Sequence, residues 1–208
     1  MLKQTLFLTA LALVAAAPAA YADSVTDTGS VYSLSYSTSG PDSYQFTLTI
    51  DASGYAPPVG DNTSVLNAVA IDILKSSGSY VSESVVSAPA GYAGSLVSGG
   101  LGAGGCNNNA SNYLCLAFTP TPGGEATGSS GDVYTFVFDI NTSPGGLKTT
   151  NDGVKAVYDT VGKPANGSNT DVYTESITPT PTPEPGSLAL LGTGVLGLAG
   201  ALRRRFKA

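Results

Sequence analysis

The sequence predicts an all-β fold, an antiparallel β-sandwich ectodomain formed by residues 23–178 of the 208-residue chain. Two observations predict this fold. Short segments alternate apolar and polar residues with the period of two that is typical of half-buried strands. Turn-forming Gly, Asn and Pro residues separate these segments, and no long helical period with caps occurs between them.

The first two predicted strands form a hairpin that opens the domain. In residues 31–37 Tyr and Leu alternate with Ser, and in residues 44–51 Tyr, Phe, Leu and Ile alternate with Gln, Thr and Asp. A Ser-Gly-Pro-Asp turn at residues 39–42 joins the two segments. Two alternating segments joined by so short a turn indicate an antiparallel pair.

Six further segments are predicted strands, among which residues 133–140 have the clearest pattern. Tyr134, Phe136, Phe138 and Ile140 fall on one side of this segment, which predicts a strand that faces the core. The other predicted strands are residues 67–75, 80–87, 114–119, 154–158 and 172–177.

The N-terminal residues 1–22 have the organisation of a secretory signal peptide. Lys3 supplies a positive start, and the apolar segment 6–17 is too short to span a bilayer comfortably. Ala20 and Ala22 form a small-x-small cleavage site, so signal peptidase is an expected partner and the mature chain is expected to start at Asp23. An uncleaved membrane anchor is the alternative.

The C-terminal residues predict a stalk, a membrane segment and a basic end. Alternating prolines in residues 179–187 favour an extended, semi-rigid stalk. Residues 188–202 are apolar and uncharged, and are predicted to form a transmembrane helix. Arg203, Arg204 and Arg205 stop this helix, and the positive-inside rule places the tail 203–208 in the cytoplasm.

The order of these C-terminal features resembles the PEP-CTERM sorting domain of Gram-negative bacteria. Pro183, Glu184 and Pro185 are followed by a glycine-bearing apolar segment and then by the three arginines. The resemblance implies that an exosortase, an integral-membrane sorting protease, recognises the triplet and removes the tail during export. It also implies a transient membrane anchor, a surface or extracellular destination, and association with exopolysaccharide or biofilm matrix. A plain C-terminal anchor on a Pro-rich stalk is the alternative.

Composition argues against nucleic-acid binding and against much ordinary catalysis. Residues 23–178 contain four lysines and fourteen acidic residues, a net charge of −10, which repels a phosphate backbone. The chain has no histidine, the side chain most used as a general base and as a metal ligand. We therefore expect neither an enzyme nor a cofactor or metal centre. A carboxylate pair drawn from Glu83, Glu125 and Glu175 is the remaining catalytic alternative.

Cys106 and Cys115 are the only cysteines, and export takes them to an oxidising compartment. This pairing predicts a structural disulfide. A redox or metal role would call for a CxxC spacing or further Cys and His residues, which the chain lacks.

Oxygen-rich turns and Asn-x-Ser/Thr triplets are weaker signals. Turns of this kind can hold calcium, but Asn and Asp are also ordinary turn residues, and none of these segments has the EF-hand spacing. The oxygen-rich segments are 61–62, 139–141, 151–152 and 169–171. The triplets begin at Asn62, Asn109, Asn141 and Asn166, and glycan attachment at them is left open.

A structural role at the surface or in the matrix is the first functional hypothesis for residues 23–178. It is favoured by small, β-compatible residues and by the missing catalytic groups. A secreted carbohydrate-binding module is the alternative, since Tyr55, Tyr92 and Tyr113 lie in loop-like segments where exposed rings could stack on sugars. Packing of these tyrosines on the sandwich is the competing explanation.

Overall fold

The computed structural model describes residues 23–59, 62–92, 97–98, 101–102, 105–106, 113–118, 124–148, 152–160 and 170–182. The predicted signal peptide (1–22) and transmembrane helix (188–202) lie outside these ranges. No helix within the described ranges is long and apolar enough to cross a membrane. All the strands belong to one compact unit, Ala22–Pro181.

The described residues form fourteen strands. Most of the long strands occupy segments that the alternation of the sequence marks. The strands are β1 Asp23–Asp27, β2 Ser30–Gly40, β3 Ser43–Asp51, β4 Val65–Asp72, β5 Tyr80–Ser87, β6 Val97–Ser98, β7 Leu101–Gly102, β8 Gly105–Cys106, β9 Leu114–Ala117, β10 Glu125–Ala126, β11 Val133–Thr142, β12 Asp152–Asp159, β13 Thr170–Ile177 and β14 Thr180–Pro181.

Two sheets contain most of these strands. The front sheet has the order β1-β2-β3-β11-β5, and β14 pairs with β2 beside β1. The back sheet has the order β13-β12-β4-β9-β6, and β10 also pairs with β4. Every pair is antiparallel except β14 with β2, and β7 and β8 form a separate small pair. The all-β, antiparallel prediction is confirmed.

The core lies between the two sheets, as in a β-sandwich. Alternate residues of β2, β3 and β11 in the front sheet pack into the same buried cluster as residues of β4, β9 and β12 in the back sheet. Central members are Leu34, Phe46, Leu48, Phe136 and Phe138 from the front, and Leu66, Val69, Ile71, Leu116, Ala156 and Tyr158 from the back.

The predicted hairpin is confirmed. Strands β2 and β3 pair in a register that places Tyr32 opposite Ile50 and Leu34 opposite Leu48, so the apolar set of both strands faces the core. The sequence did not predict β1, which pairs with β2 through a turn at Thr28 and Gly29. Both turn residues have positive φ, 47° and 84°, as a two-residue type I′ turn requires.

Replacing Gly29 by Ala is expected to destabilise the domain by more than about 1 kcal/mol. A Cβ atom at Gly29 would lie 1.9 Å from the carbonyl oxygen of Gly54, and its positive φ disfavours any other residue. Urea denaturation of the variant measures the loss. Gly131 also has positive φ, but nothing lies within 4 Å of the position that its Cβ would take. Gly131→Ala should therefore show the backbone cost without the clash, and equal losses in both variants would contradict the steric argument.

Strand β4 is buried on both faces. Its core side carries Val69 and Ile71, while its outer side carries Ala68 and Ala70. Those two alanines pack with Leu101 of β7, Cys115 of β9 and Val157 of β12 in a second, smaller cluster. This covering explains why β4 reads as a nearly continuous apolar segment.

The C-terminal end of the domain crosses from one sheet to the other. Strand β13 ends at Ile177 in the back sheet, Pro179 is buried, and Thr180 and Pro181 then pair with Ser35 and Tyr36 of the front sheet. The sequence assigns Pro179, Thr180 and Pro181 to the stalk. Proline is accommodated here because β14 lies at the edge of the sheet, where its missing N–H leaves no central ladder bond unmade.

Candidate functional site

The predicted sorting and cleavage residues lie outside the described part of the chain, with one exception. Asp23, the expected first residue of the mature protein, is the first residue of β1. The residues that lie outside are Ala20, Ala22, Pro183, Glu184, Pro185, Arg203, Arg204 and Arg205. The last described residue is Thr182, which immediately precedes the Pro-Glu-Pro triplet.

The predicted disulfide between Cys106 and Cys115 is confirmed, with Cα atoms 5.6 Å apart. Cys115 lies in β9 and is fully buried in the outer cluster of the back sheet, while Cys106 ends β8 at its margin. The bond therefore joins the small β7–β8 pair to the sheet that it covers. This is a structural position.

Replacing both cysteines by Ala is expected to lower the free energy of unfolding by about 2–3 kcal/mol, because the unfolded chain would lose a short covalent loop. Urea denaturation of the oxidised protein and of the double variant measures the difference. Reduced wild-type protein should fall close to the variant. Equal stability of the oxidised and variant proteins would show that the bond adds nothing.

Two of the three tyrosines considered for sugar stacking belong to the core. Tyr55 and Tyr92 are only 5% and 6% exposed. Tyr55 stacks on Tyr158 with ring centroids 4.1 Å apart, and the Tyr92 hydroxyl donates to the carbonyl of Leu66. Neither ring is available to a sugar, so for these two the packing explanation is correct.

Tyr113 keeps a partly exposed ring beside a charge. The Lys155 ammonium lies 4.2 Å from the centre of this ring, a cation–π contact. Burial, with a smaller contribution from the negative charge of Asp72, raises the pKa of the Tyr113 hydroxyl. Lys155 thus already occupies a position over the ring that a stacked sugar would need.

The structure does not bring the candidate catalytic glutamates together. Glu83 lies on β5 of the front sheet and Glu125 on β10 of the back sheet. Glu175 lies on β13, and its side chain is outside the described set. No pair of glutamates flanking a common cleft is seen among the described residues.

The oxygen-rich segments do not form a metal site within the described residues, where no three His, Cys, Asp or Glu side chains converge. Asp139 and Asn141 lie on β11 rather than in a turn, and Asp152 begins β12. Asp61, Asn151 and Asn169 lie outside the described part of the chain, as do Asn109 and Asn166 of the glycosylation triplets.

The outer face of the front sheet carries rows of hydroxyl-bearing side chains. Ser33 and Ser35 of β2 stand opposite Thr49 and Thr47 of β3, and Thr49 in turn stands opposite Thr135 of β11. Amide groups continue the rows: the Gln45 Nε2 donates to Asp139 Oδ1 at 2.9 Å, and the Asn141 Nδ2 donates to Ser82 Oγ at 2.6 Å. This front-sheet surface offers many hydrogen-bonding groups to an extended polar ligand.

A buried carboxyl group that the sequence placed in an oxygen-rich turn lies at the start of β12. Asp152 is 0% exposed, and neither of its carboxyl oxygens accepts a hydrogen bond from any described residue. Burial raises the pKa of Asp152 to about 7, and this rise is opposed by the positive charge of Lys148 and reinforced by the negative charge of Asp72. Near neutral pH this carboxyl therefore changes its charge.

The two charged neighbours of Asp152 form an ion pair with each other. The Lys148 Nζ lies 3.1 Å from Asp72 Oδ2, and both side chains are partly exposed. The backbone next to this ion pair is also fixed. Leu74 and Leu147 form an isolated antiparallel β-bridge, and the Lys148 backbone N–H donates to the carbonyl of Ile73 at 2.8 Å. Lys148 is thus held beside the buried acid.

A second buried acid, Asp159, lies at the opposite end of β12. It accepts a hydrogen bond from the Asn67 side-chain amide, and both residues are almost completely buried. Its backbone carbonyl also accepts from the Ser64 N–H at 2.9 Å. This pair fixes the loop before β4 against β12, which is a structural role.

Sequence reasoning missed the buried acid because Asp152 precedes Gly153 in a segment that reads as an ordinary turn. The burial of Asp152 could have been inferred from its position in the two-residue alternation of the strand that follows. Asp152 has the same parity as Val154, Ala156 and Tyr158, all of which face the core. An acid in phase with a core-facing set is the pattern that could have identified it.

An antiparallel β-sandwich domain followed by a C-terminal sorting segment is the class of protein that these observations define. Residues 181–205 match the family described as the PEP-CTERM protein-sorting motif. The chain thus carries the motif that the sequence predicted. The motif implies an exported, transiently membrane-anchored protein that an exosortase processes.

Comparison of the domain itself gives no functional relative. No curated protein matches the chain. Among solved structures, it is similar to the 35 kDa C-terminal fragment of the major pilin GBS80 of Streptococcus agalactiae, with 10% sequence identity and a TM-score of 0.37. The likeness covers 71% of this chain and 55% of the pilin fragment.

Proposed function

We propose that the chain is an exported cell-surface or extracellular-matrix protein, associated with exopolysaccharide or biofilm, that has no catalytic activity of its own. The observation that carries the proposal is the sorting motif at residues 181–205, placed directly after a β-sandwich domain. Signal peptidase removes residues 1–22, and an exosortase in the inner membrane of a Gram-negative bacterium removes the C-terminal tail.

Contact with a polysaccharide would use the front-sheet surface. Its partly exposed Ser, Thr, Asn and Gln groups can exchange hydrogen bonds with sugar hydroxyls, and strand spacing repeats these groups about every 4.8 Å. Asp139, which stands opposite Gln45 near the middle of this surface, carries a negative charge. This charge favours binding of a neutral polysaccharide over an anionic one. The buried positions of Tyr55 and Tyr92 argue against a separate aromatic sugar site.

Sorting is tested by replacing Pro183, Glu184 and Pro185 together by Ala in the native host. The expected result is complete loss of tail removal, so that the larger precursor accumulates in the membrane fraction. Thr178→Ala, an exposed position that lies before the matched segment 181–205, is the control and should be processed normally. Normal processing of the triple variant, or unchanged processing in a host that lacks its exosortase, would overturn the proposal.

Matrix association is tested by co-sedimentation of the processed protein with exopolysaccharide from the same host. We expect binding that weakens at least severalfold when Thr47 and Thr49 are both replaced by Glu, because charge and bulk then disrupt two adjacent rows. Lys155→Glu on the back sheet is the control and should bind as wild type. Absence of binding by the wild-type protein would remove exopolysaccharide as the partner and leave the sorting proposal intact.

A further inference from the structure

The C-terminal end of the domain is held at the end of β13 and by a short pairing with the front sheet. After Ile177, which packs in the core, the chain leaves the back sheet, Pro179 is buried, and Thr180 and Pro181 pair with the front sheet as β14. A two-residue pairing at a sheet edge, in which one residue is a proline without an N–H to donate, contributes little stability on its own. The end of β13, where Ile177 pairs with Asp152, is the point at which this segment, residues 177–181, joins the back sheet, so opening that end loosens the segment.

Asp152 stands directly opposite that end. It pairs with Ile177 at the last position of the β12–β13 ladder, and both side chains are buried. The titratable or charged groups that act on Asp152 are Lys148, Asp72 of β4 and Tyr80 of β5, whose hydroxyl stays protonated because burial raises its pKa well above the usual range. Ile177, its partner on β13, is apolar.

Charge on this carboxyl is costly while it is buried. An ionised carboxylate without hydrogen bonds loses far more solvation than a neutral acid does. Opening only the terminal pair of the ladder would hydrate the carboxylate. Such local opening costs less than unfolding the domain, because strand ends and edge segments are the least stable parts of a sheet.

We propose that Asp152 acts as a proton-operated latch for the C-terminal exit of the domain. With the carboxyl protonated, Ile177 stays paired and residues 177–181 remain docked. With the carboxyl ionised, the end of β13 opens and the segment detaches from the front sheet. This latch is a property of the domain and does not depend on the proposed sorting.

The linkage between proton binding and opening fixes the direction in which the opening constant changes with pH. Because the pKa of Asp152 is raised in the closed state to about 7, protons favour closing, and closing weakens as the pH rises. Between pH 5 and pH 7 the opening constant is expected to rise about tenfold for each pH unit, and it should level off above pH 8.

Amide hydrogen exchange of the full-length chain in detergent micelles tests the latch. The protection factors of Ser176, Ile177 and Thr180, corrected for intrinsic exchange, should fall about tenfold for each pH unit between pH 5 and pH 7. Leu48 in β3 should keep its protection. Asp152→Asn, which fits the same space without a charge, should keep all three amides protected at every pH. The latch would be overturned if Asp152→Asn lost protection with rising pH as the wild type does. Equal loss of protection at Leu48 and Ile177 in the wild type would also overturn it.

Two further variants separate a latch from a merely structural residue. Asp72→Asn removes the charge that disfavours ionisation of Asp152, so the midpoint of the transition should move to lower pH. Lys148→Met removes the charge that favours ionisation, so the midpoint should move to higher pH. Shifts in these opposite directions support the proposal, while equal midpoints in both variants contradict it.

Discussion

Replacing Asp152 by Asn is expected to raise the free energy of unfolding at pH 8 by about 2–4 kcal/mol more than it does at pH 5. The carboxyl of Asp152 is buried without a hydrogen bond from any described residue, and its pKa is raised to about 7. At pH 8 the wild type must either keep an ion buried or open the end of β13, and the amide avoids both costs. At pH 5 the buried carboxyl of the folded wild type is neutral, so the gain from the amide is smaller, although the unfolded wild-type chain is already largely ionised at this position.

The wild-type protein should therefore lose stability as the pH rises from about 5 to about 8. The folded state binds more protons than the unfolded chain in this range, and the chain has no histidine to add a transition of its own. Urea denaturation at half-unit pH steps measures both curves. Asp139→Asn, an exposed acid on the front sheet, is the control and should follow the wild type. Parallel curves for the wild type and Asp152→Asn would contradict the prediction.

Replacing Phe136 by Ala is expected to cost about 3–5 kcal/mol, the loss typical of a large buried aromatic side chain. Phe136 is 0% exposed at the centre of the core. Its ring meets the edge of Tyr92 with centroids 5.0 Å apart, so the substitution leaves a cavity against residues of both sheets. The same edge-to-face contact holds the Tyr92 loop over the core.

The matched control for Phe136 is its neighbour on the same strand. Val137 points to the outer face and is half-buried, so Val137→Ala should cost less than about 1 kcal/mol. The midpoints of urea unfolding give both values. Similar losses at the two positions would show that the assigned faces of β11 are wrong.

Strands β2, β3 and β11 could be predicted because each carries an apolar-polar alternation, and β4 and β5 because they are rich in apolar or β-branched residues. Residues 80–87 coincide with β5, and residues 133–140 lie within β11. Two-residue strands such as β6, β10 and β14 are too short to show a period, and their pairing is set by the strands beside them. Strand β1 was missed because its five residues follow the cleavage site and contain one apolar residue, Val25.

The candidate site could be predicted only where the residues that form it are close together in the sequence. The sorting segment and the Cys106–Cys115 pair are local signals. The family match confirms the sorting motif at residues 181–205, and the structure contains the disulfide. The burial of Tyr55 and Tyr92 depends on how loops fold back over the two sheets, which no local pattern records. The environment of Asp152 depends on β4, β5 and β13 meeting at one end of the sandwich, and sequence spacing does not show that meeting.

The position of the sorting motif links the domain to its processing. The family match begins at Pro181, which is also the last residue of β14. A product cut near the Pro-Glu-Pro triplet would keep every strand of the sandwich. Removal of the tail is therefore compatible with an intact, folded product.

The intact mass of the protein recovered from its native host's surface and medium tests the central claim most directly. Sorting by an exosortase predicts a polypeptide that starts at Asp23 and ends near Pro185, with or without the added mass of glycan. A product that retains residues 203–208 and stays in the membrane fraction would contradict it, and would make the protein a permanently anchored ectodomain.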